Sequence, residues 1–384
     1  MIRISLKRAA VVATMASASV ALLGGGTPAS ATATPIPHPG QTFTLAGSDT
    51  TEEFMGRWLN QGNGSGQANG DYNVPARPTT PFNVPADANC AARTYGAAPV
   101  GAGQTLAPNG SSAGIQALVN DPNCIDAARS SRGPSSSDPS GQGLKFTAYG
   151  IEALQWATFS PFAPSSLTLT QIRGIFSCSI TNWNEVGGID APIRPHIPQP
   201  NSGTGPFFIS QVLGGASNVG SCVKQVIQEH SGRDSNLTGA DYPFAIFPYS
   251  ASQWIYQSIN SANPSIDLRN GARLGSIAGA CGVSAPTQAL TYNGTARRWL
   301  PNAALINEAN AQQALATPGN GCGVRFLWNV IRPANPGAAV AEQYVGLGSK
   351  LCSPTGGAGA DLAALGISSI PNVNGSVCRQ VIKP

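Results

Sequence analysis

Three short segments rich in serine, threonine and glycine stand where helices should begin. They are Gly47-Ser48-Asp49-Thr50-Thr51, Gly110-Ser111-Ser112-Ala113-Gly114 and Asn201-Ser202-Gly203-Thr204-Gly205. Each precedes apolar residues at helical spacing: Phe54, Trp58 and Leu59; Ile115, Leu118 and Val119; Phe207, Phe208, Val212 and Leu213. A helix start leaves its first N–H groups unpaired and carries roughly half a positive charge. Glycine lets the backbone close on an anion there, and hydroxyls add donors. Three such starts converging on one point would hold an oxyanion without metal or cofactor. Arg132 follows Ser130 and Ser131 and precedes Gly133-Pro134, where its guanidinium could join as a bidentate partner.

Other chemistries are less well specified. Gly110-Ser111-Ser112-Ala113-Gly114 fits the G-x-S-x-G nucleophile elbow, which would make Ser112 the nucleophile of a secreted hydrolase. That mechanism needs an acid and a histidine downstream, and only His196 and His230 follow. Both histidines read as surface or packing residues. A glycosidase needs two placed carboxylates, and nothing singles out a pair among Asp49, Asp126, Glu152 and Glu185. The six tryptophans sit in apolar contexts that suit a core. No Cys/His cluster has zinc spacing, so neither a metal nor a catalytic centre is expected.

The elements that must position the three loops follow from composition and pattern. Arg3, Lys7 and Arg8, an apolar stretch over 9–23 and the small residues Ala29-Ser30-Ala31 or Ala31-Thr32-Ala33 read as a signal peptide over 1–33, cleaved near Ala31 or Ala33. That apolar stretch is short of the ~20 residues of a membrane span, and no later one reaches it. No cysteine near the cleavage site could carry a lipid, so a secreted, extracellular chain without a membrane anchor is expected. Without 1–33, 19 basic residues face 18 acidic ones, a balance that offers nucleic acid no footprint. All eight cysteines (Cys90, Cys124, Cys178, Cys222, Cys281, Cys322, Cys352, Cys378) lie beyond the signal peptide and read as disulfides. Pairing them in sequence order keeps every loop local. They staple a chain with 45 glycines and 31 prolines and carry no chemistry.

Strands are expected over 42–46, 125–128, 193–197, 242–248 and 324–331, with an extended crossover over 145–159. Helices are expected over 52–60, from 115, over 169–176, after 204, and over 220–230, 253–259, 338–347 and 358–365, with a long loop over 61–109. Alternating strands and helices make the class α/β. The length suggests two lobes rather than one core.

Several segments in order resemble one family, the phosphate-binding proteins of phosphate ABC transporters and their secreted relatives. The strand followed by GSDTT resembles that family's first phosphate loop, and NGSSAGIQALVNDPNCIDAARSSRG its second loop, helix and SSR turn. LTLTQIRGIFSCSITNWNEVGG is similar to its IF-x-G-x-I-x-N-W segment, IRPHIPQPNSGTG to its third loop and VRFLWNVI to the strand returning to the first lobe. The resemblance spans 42–384. It implies a two-lobed, type II periplasmic-binding-protein-like fold with two crossover segments: lobe 1 over 42–150 and 325–384, lobe 2 over 151–324. It implies a monomer that binds inorganic phosphate or a similar oxyanion in the cleft, without catalysis or cofactor, for uptake or scavenging and with an ABC permease as a possible partner.

Carried over by position, Thr50 and the Thr51 N–H would contact phosphate from the first loop, Ser111 from the second with Ser131 and Arg132 beside it, and Ser202, Gly203 and Thr204 from the other lobe. Asp49 would accept a proton from HPO4 and repel fully ionised sulfate, or else cap the helix from Glu52. The family pattern has an arginine just before or after the SGT element, where this chain has Pro198 and Gly205. Arg173 or Arg194 would substitute, affinity would be modest, or the ligand would differ. A binding fold that has lost its ligand and serves as an extracellular interaction module is the remaining alternative.

Overall fold

A computed structural model describes residues 43–60, 72–73, 82–84, 86–96, 105–237, 239–285, 287–355 and 358–384. The expected signal peptide over 1–33, its expected cleavage near Ala31 or Ala33 and much of the expected 61–109 loop lie outside the described residues. Strands that carry the site are β1 (Phe43–Gly47), β2 (Ala127–Ser130), β3 (Leu144–Thr158), β4 (Arg194–Pro198), β5 (Lys224–Ile227), β6 (Ala245–Ser250), β7 (Arg273–Ala278), β8 (Val324–Ile331) and β9 (Arg379–Lys383). The helices used below are α1 (Glu52–Asn60), α2 (Ser111–Asn120), α3 (Leu169–Phe176), α4 (Thr204–Phe207) and α5 (Ala251–Ile259).

One mixed sheet runs through these strands in the order β5-β4-β6-β3-β8-β2-β1, with Tyr72–Asn73 beyond β1. β1 and β2 are parallel, as are β6, β4 and β5, while β3 and β8 run antiparallel to their neighbours. The described residues cluster as one unit. β3 explains why: its first ten residues pair with β8, and with β9 near their start, whereas Leu154 to Thr158 pair with β6 and β7. This strand and β8 are buried over nearly their whole length, so both read as apolar runs rather than alternating ones.

The expected strands and helices are mostly present within a residue or two. One is not: the helix expected over 220–230 is replaced by β5, because Lys224-Gln225-Val226-Ile227 pairs parallel with β4 and Cys222 is tied to Cys178. The 61–109 stretch also holds short strands at Tyr72–Asn73, Phe82–Val84, Arg93–Gly96 and Thr105–Leu106. The disulfides are Cys90–Cys124, Cys178–Cys222, Cys281–Cys322 and Cys352–Cys378, the sequential pairing. Among the described residues no helix is long and apolar enough to cross a membrane.

Most segments that build the site leave the carboxyl end of a parallel strand, while Arg325 and Glu152 sit within β8 and β3 and Ser111 opens α2. Thr50 follows β1, Ser131 and Arg132 follow β2, Ser202 to Thr204 follow β4, Glu229 and His230 follow β5, and Ser252 follows β6. Ligands of open α/β sheets bind at this edge, where strand order switches direction.

Candidate oxyanion-binding node

The three loops meet, and the first and third close around a carboxylate of the chain itself. Glu229 Oε1 accepts from Gly203 N at 2.9 Å and Thr204 N at 3.5 Å. Its Oε2 accepts from Thr204 Oγ1 at 2.9 Å and Thr50 Oγ1 at 3.3 Å, with His230 Nε2 at 3.2 Å. Burial alone would raise the Glu229 pKa. Hydrogen bonds from His230 and Ser202 and the Arg325 charge outweigh it and hold the group down at about 2. The node is therefore built for a negative oxygen.

Ser250 N donates to His230 Nδ1 at 3.2 Å, which puts the ring proton on Nε2, 2.8 Å from Thr50 Oγ1. In that tautomer the imidazole donates to the threonine and is no base for it. His230 has φ +55°, a left-handed conformation that costs a residue with a Cβ about 1–2 kcal/mol. That turn directs Glu229 inward.

Arg325 supplies the cation. It is 2% exposed, and its Nη2 donates to Thr50 Oγ1 at 3.2 Å and Thr204 Oγ1 at 3.1 Å. Glu152, its cross-strand partner, accepts from Nε at 2.7 Å and from Nη2, and is fully buried. Ser250 and Ser252 hydroxyls complete the Glu152 carboxylate. A buried pair of this kind holds because both charges have partners.

The second loop closes directly against the third. Ser112 N donates to Asn201 O at 3.1 Å, and Ser131 N donates to Ser111 Oγ at 3.0 Å. A Cβ on Gly203 would lie 2.1 Å from Ser111 Oγ and 2.5 Å from Ser131 Oγ. Only a glycine permits that approach.

Of the residues expected from sequence, Thr50, Ser202, Gly203 and Thr204 come together on Glu229, and Ser111 and Ser131 lie against Gly203. Thr51, expected to offer its backbone N–H, turns its hydroxyl back to Ser48 O. Asp49 bonds Gln228 instead of the node or a helix cap; burial, then Glu229 and Glu52, push its carboxyl well above the usual range. Arg132 is also diverted. Asp138 takes it at Nη1 (3.1 Å) and Nη2 (2.5 Å), and Ser112 Oγ accepts from Nη2 at 3.0 Å, so a nearer carboxylate consumes its donors. The same bond leaves Ser112 facing a guanidinium and no histidine, which gives an elbow nucleophile no base. Neither Arg173 nor Arg194 substitutes: Arg173 binds Val212 O and Gly319 O, and Arg194 reaches Ile193 O. His230, expected at the surface or in packing, is part of the node, whereas His196 is buried with Nδ1 3.0 Å from Arg194 O.

A model of the PBP superfamily domain matches residues 33–262, more than half of the chain. The chain belongs to the PBP superfamily. A crystal structure reported as a phosphate ABC transporter substrate-binding protein with bound phosphate from Clostridium perfringens is similar, with TM-score 0.51, 17% identity, and coverage of 86% of this chain and 100% of that one. An ABC-type phosphate transport receptor from Vibrio cholerae aligns with TM-score 0.45, 17% identity, and coverage of 85% and 99%. A phosphate-binding protein from Stenotrophomonas maltophilia aligns with 0.46, 13%, 87% and 91%. The first likeness supports the superfamily fold; the other two are too loose to add an argument. No curated protein sequence matches the chain.

Proposed function

We propose that this PBP-superfamily chain is an exported solute-binding protein whose node takes inorganic phosphate or a similar tetrahedral oxyanion, without catalysis. Its two lobes would be 42–150 with 325–384 and 151–324, joined by β3 and β8. One observation carries this: donors from the first and third loops, together with His230, already hold a buried, ionised oxygen acid. An ABC permease is the partner that the similar solved structures suggest.

Glu229 is the resident anion, and an incoming ion must displace it. Two unit charges 4 Å apart repel by about 4 kcal/mol at an effective dielectric of 20, so both cannot stay. Glu229 also lines a cavity of about 250 Å³ with Asp49, Gln228 and His230, which gives the side chain room to leave. The same occupancy favours a second reading, a fold locked by its own glutamate that serves as an extracellular interaction module.

Calorimetric titration with phosphate separates the two. Solute binding predicts saturable heat in wild type and at least about tenfold tighter binding in Glu229→Ala, where the donors have lost their internal partner. No heat from either protein up to about 10 mM phosphate would remove phosphate as the ligand and leave the locked module.

A further inference from the structure

The cavity of about 250 Å³ beside the node is an acidic one, since Asp49, Glu52, Glu53 and Glu229 all line it. Among the described residues no lysine or arginine lines it. Its one histidine, His230, is committed: Ser250 N donates to Nδ1, and Nε2 lies 2.8 Å from Thr50 Oγ1. The charges on the surrounding elements do not offset four carboxyl groups. Arg129 of β2 acts on Glu52 and Asp49, but its N–H groups go to the oxygens of Leu45, Gly47 and Ser48. Arg57 of α1 lies over the Tyr256 ring, 5.5 Å from its centroid, and Tyr256 donates to Glu53 at 3.2 Å. Arg325 is paired with Glu152, and Arg269 with Asp267. Asp234, which accepts from Gln228 N at 2.7 Å, adds a further negative charge.

Glu229 therefore borders two unlike environments. In the node, bonds from His230 and Ser202 and the Arg325 charge keep it ionised against its burial. In the cavity the burial remains, those bonds are gone, and three other carboxyl groups stand in their place. Asp49 shows the effect, because burial, then Glu229 and Glu52, push its carboxyl well above the usual range. Burial and like charge both favour the neutral acid.

We propose that the node exchanges Glu229 for phosphate together with a proton. As the ion takes the donors, Glu229 turns into the acidic cavity and is protonated there. The proton comes from water and adds to a Glu229 carboxylate oxygen; no other covalent bond forms or breaks. The coupling rests on the proposed function and adds a direction to it. Resting Glu229 is ionised above about pH 2, whereas displaced Glu229 keeps its proton to a higher pH. Between those limits each phosphate brings in about one proton, so binding tightens as pH falls.

Calorimetry of the disulfide-bonded protein with inorganic phosphate, in buffers of different ionisation enthalpy from about pH 5 to pH 9, counts the protons. Titration of phosphate itself enters alike in wild type and in Glu229→Gln, so their difference belongs to Glu229. Wild type should take up about one proton more per phosphate, and its Kd relative to the variant's should rise about tenfold per pH unit. Replacing the cavity acids, Glu52→Gln with Glu53→Gln, should lower by about one unit the pH at which that extra uptake is half lost. A merely structural role for these two residues would not move that midpoint. Saturable heat with equal uptake in wild type and Glu229→Gln, or an unmoved midpoint in the double variant, overturns the coupling and leaves phosphate binding standing. No heat from any of the proteins overturns both.

Discussion

At the scale of single residues, the node turns on two charges that the loops do not contain. Glu229 has its pKa held at about 2, below the ordinary 4.5, so it contributes stability above pH 4.5 that is lost as pH falls towards 2. At about 1.4 kcal/mol per unit, the loss is on the order of 3 kcal/mol. Urea melts at pH 6 and pH 2.5 should show that loss in wild type and not in Glu229→Gln; equal slopes in both would show that the carboxylate is not held at the node. The Glu152–Arg325 pair makes a different prediction. Either Glu152→Leu or Arg325→Leu alone leaves a buried charge without its partner and should cost about 3–5 kcal/mol, whereas the double replacement should recover most of it. Additive losses would mean that the pair does not act as a unit. Both residues left a trace in the sequence: each is a lone charge inside an apolar run, Arg325 in VRFLWNVI and Glu152 in the 146–159 part of the crossover. Buried runs of that kind admit a charge only with a partner, and the register across β3 and β8 supplies it. Glu229 left no such trace, because its segment has weak helical spacing and becomes a strand only by pairing with β4.

At the scale of elements, the glycines decide how closely the loops approach. Gly203 has an ordinary φ of −80°, so its requirement is space rather than backbone freedom. Gly203→Ala should push the third loop off Ser111 and Ser131 and cost about 1–3 kcal/mol, with phosphate binding weakened in parallel. Adding Ser111→Gly opens the space again and should restore part of the stability; no recovery in the double variant would mean that the contact is not the cause. Helix starts were legible because hydroxyl and glycine residues precede apolar spacing, and α1, α2 and α3 lie within a few residues of their expected places. Partner choice was not legible. The sequence places Arg132 beside two serines, but only the folded turn reveals Asp138 six residues on, close enough to take its donors. The same limit applies to Asp49, whose partner Gln228 comes from the far end of the sheet.

At the scale of the molecule, the α/β class and the long crossover could be read in advance, since buried apolar runs separated by loop residues leave few alternatives. The closure of the loops upon an internal carboxylate could not, since it joins β1, β4, β5 and β8 across more than 200 residues of chain. That closure bears on how a solute finds the protein. On the proposed function an arriving ion would exchange with Glu229 instead of falling into a positive hole, and without residues 1–33 the balance is 19 basic to 18 acidic. With no long-range field to screen, the phosphate on-rate in stopped flow should stay level from about 0.01 to 0.5 M NaCl, and a tenfold fall would reveal steering. A scavenger made this way would fish equally well in fresh water and in brine.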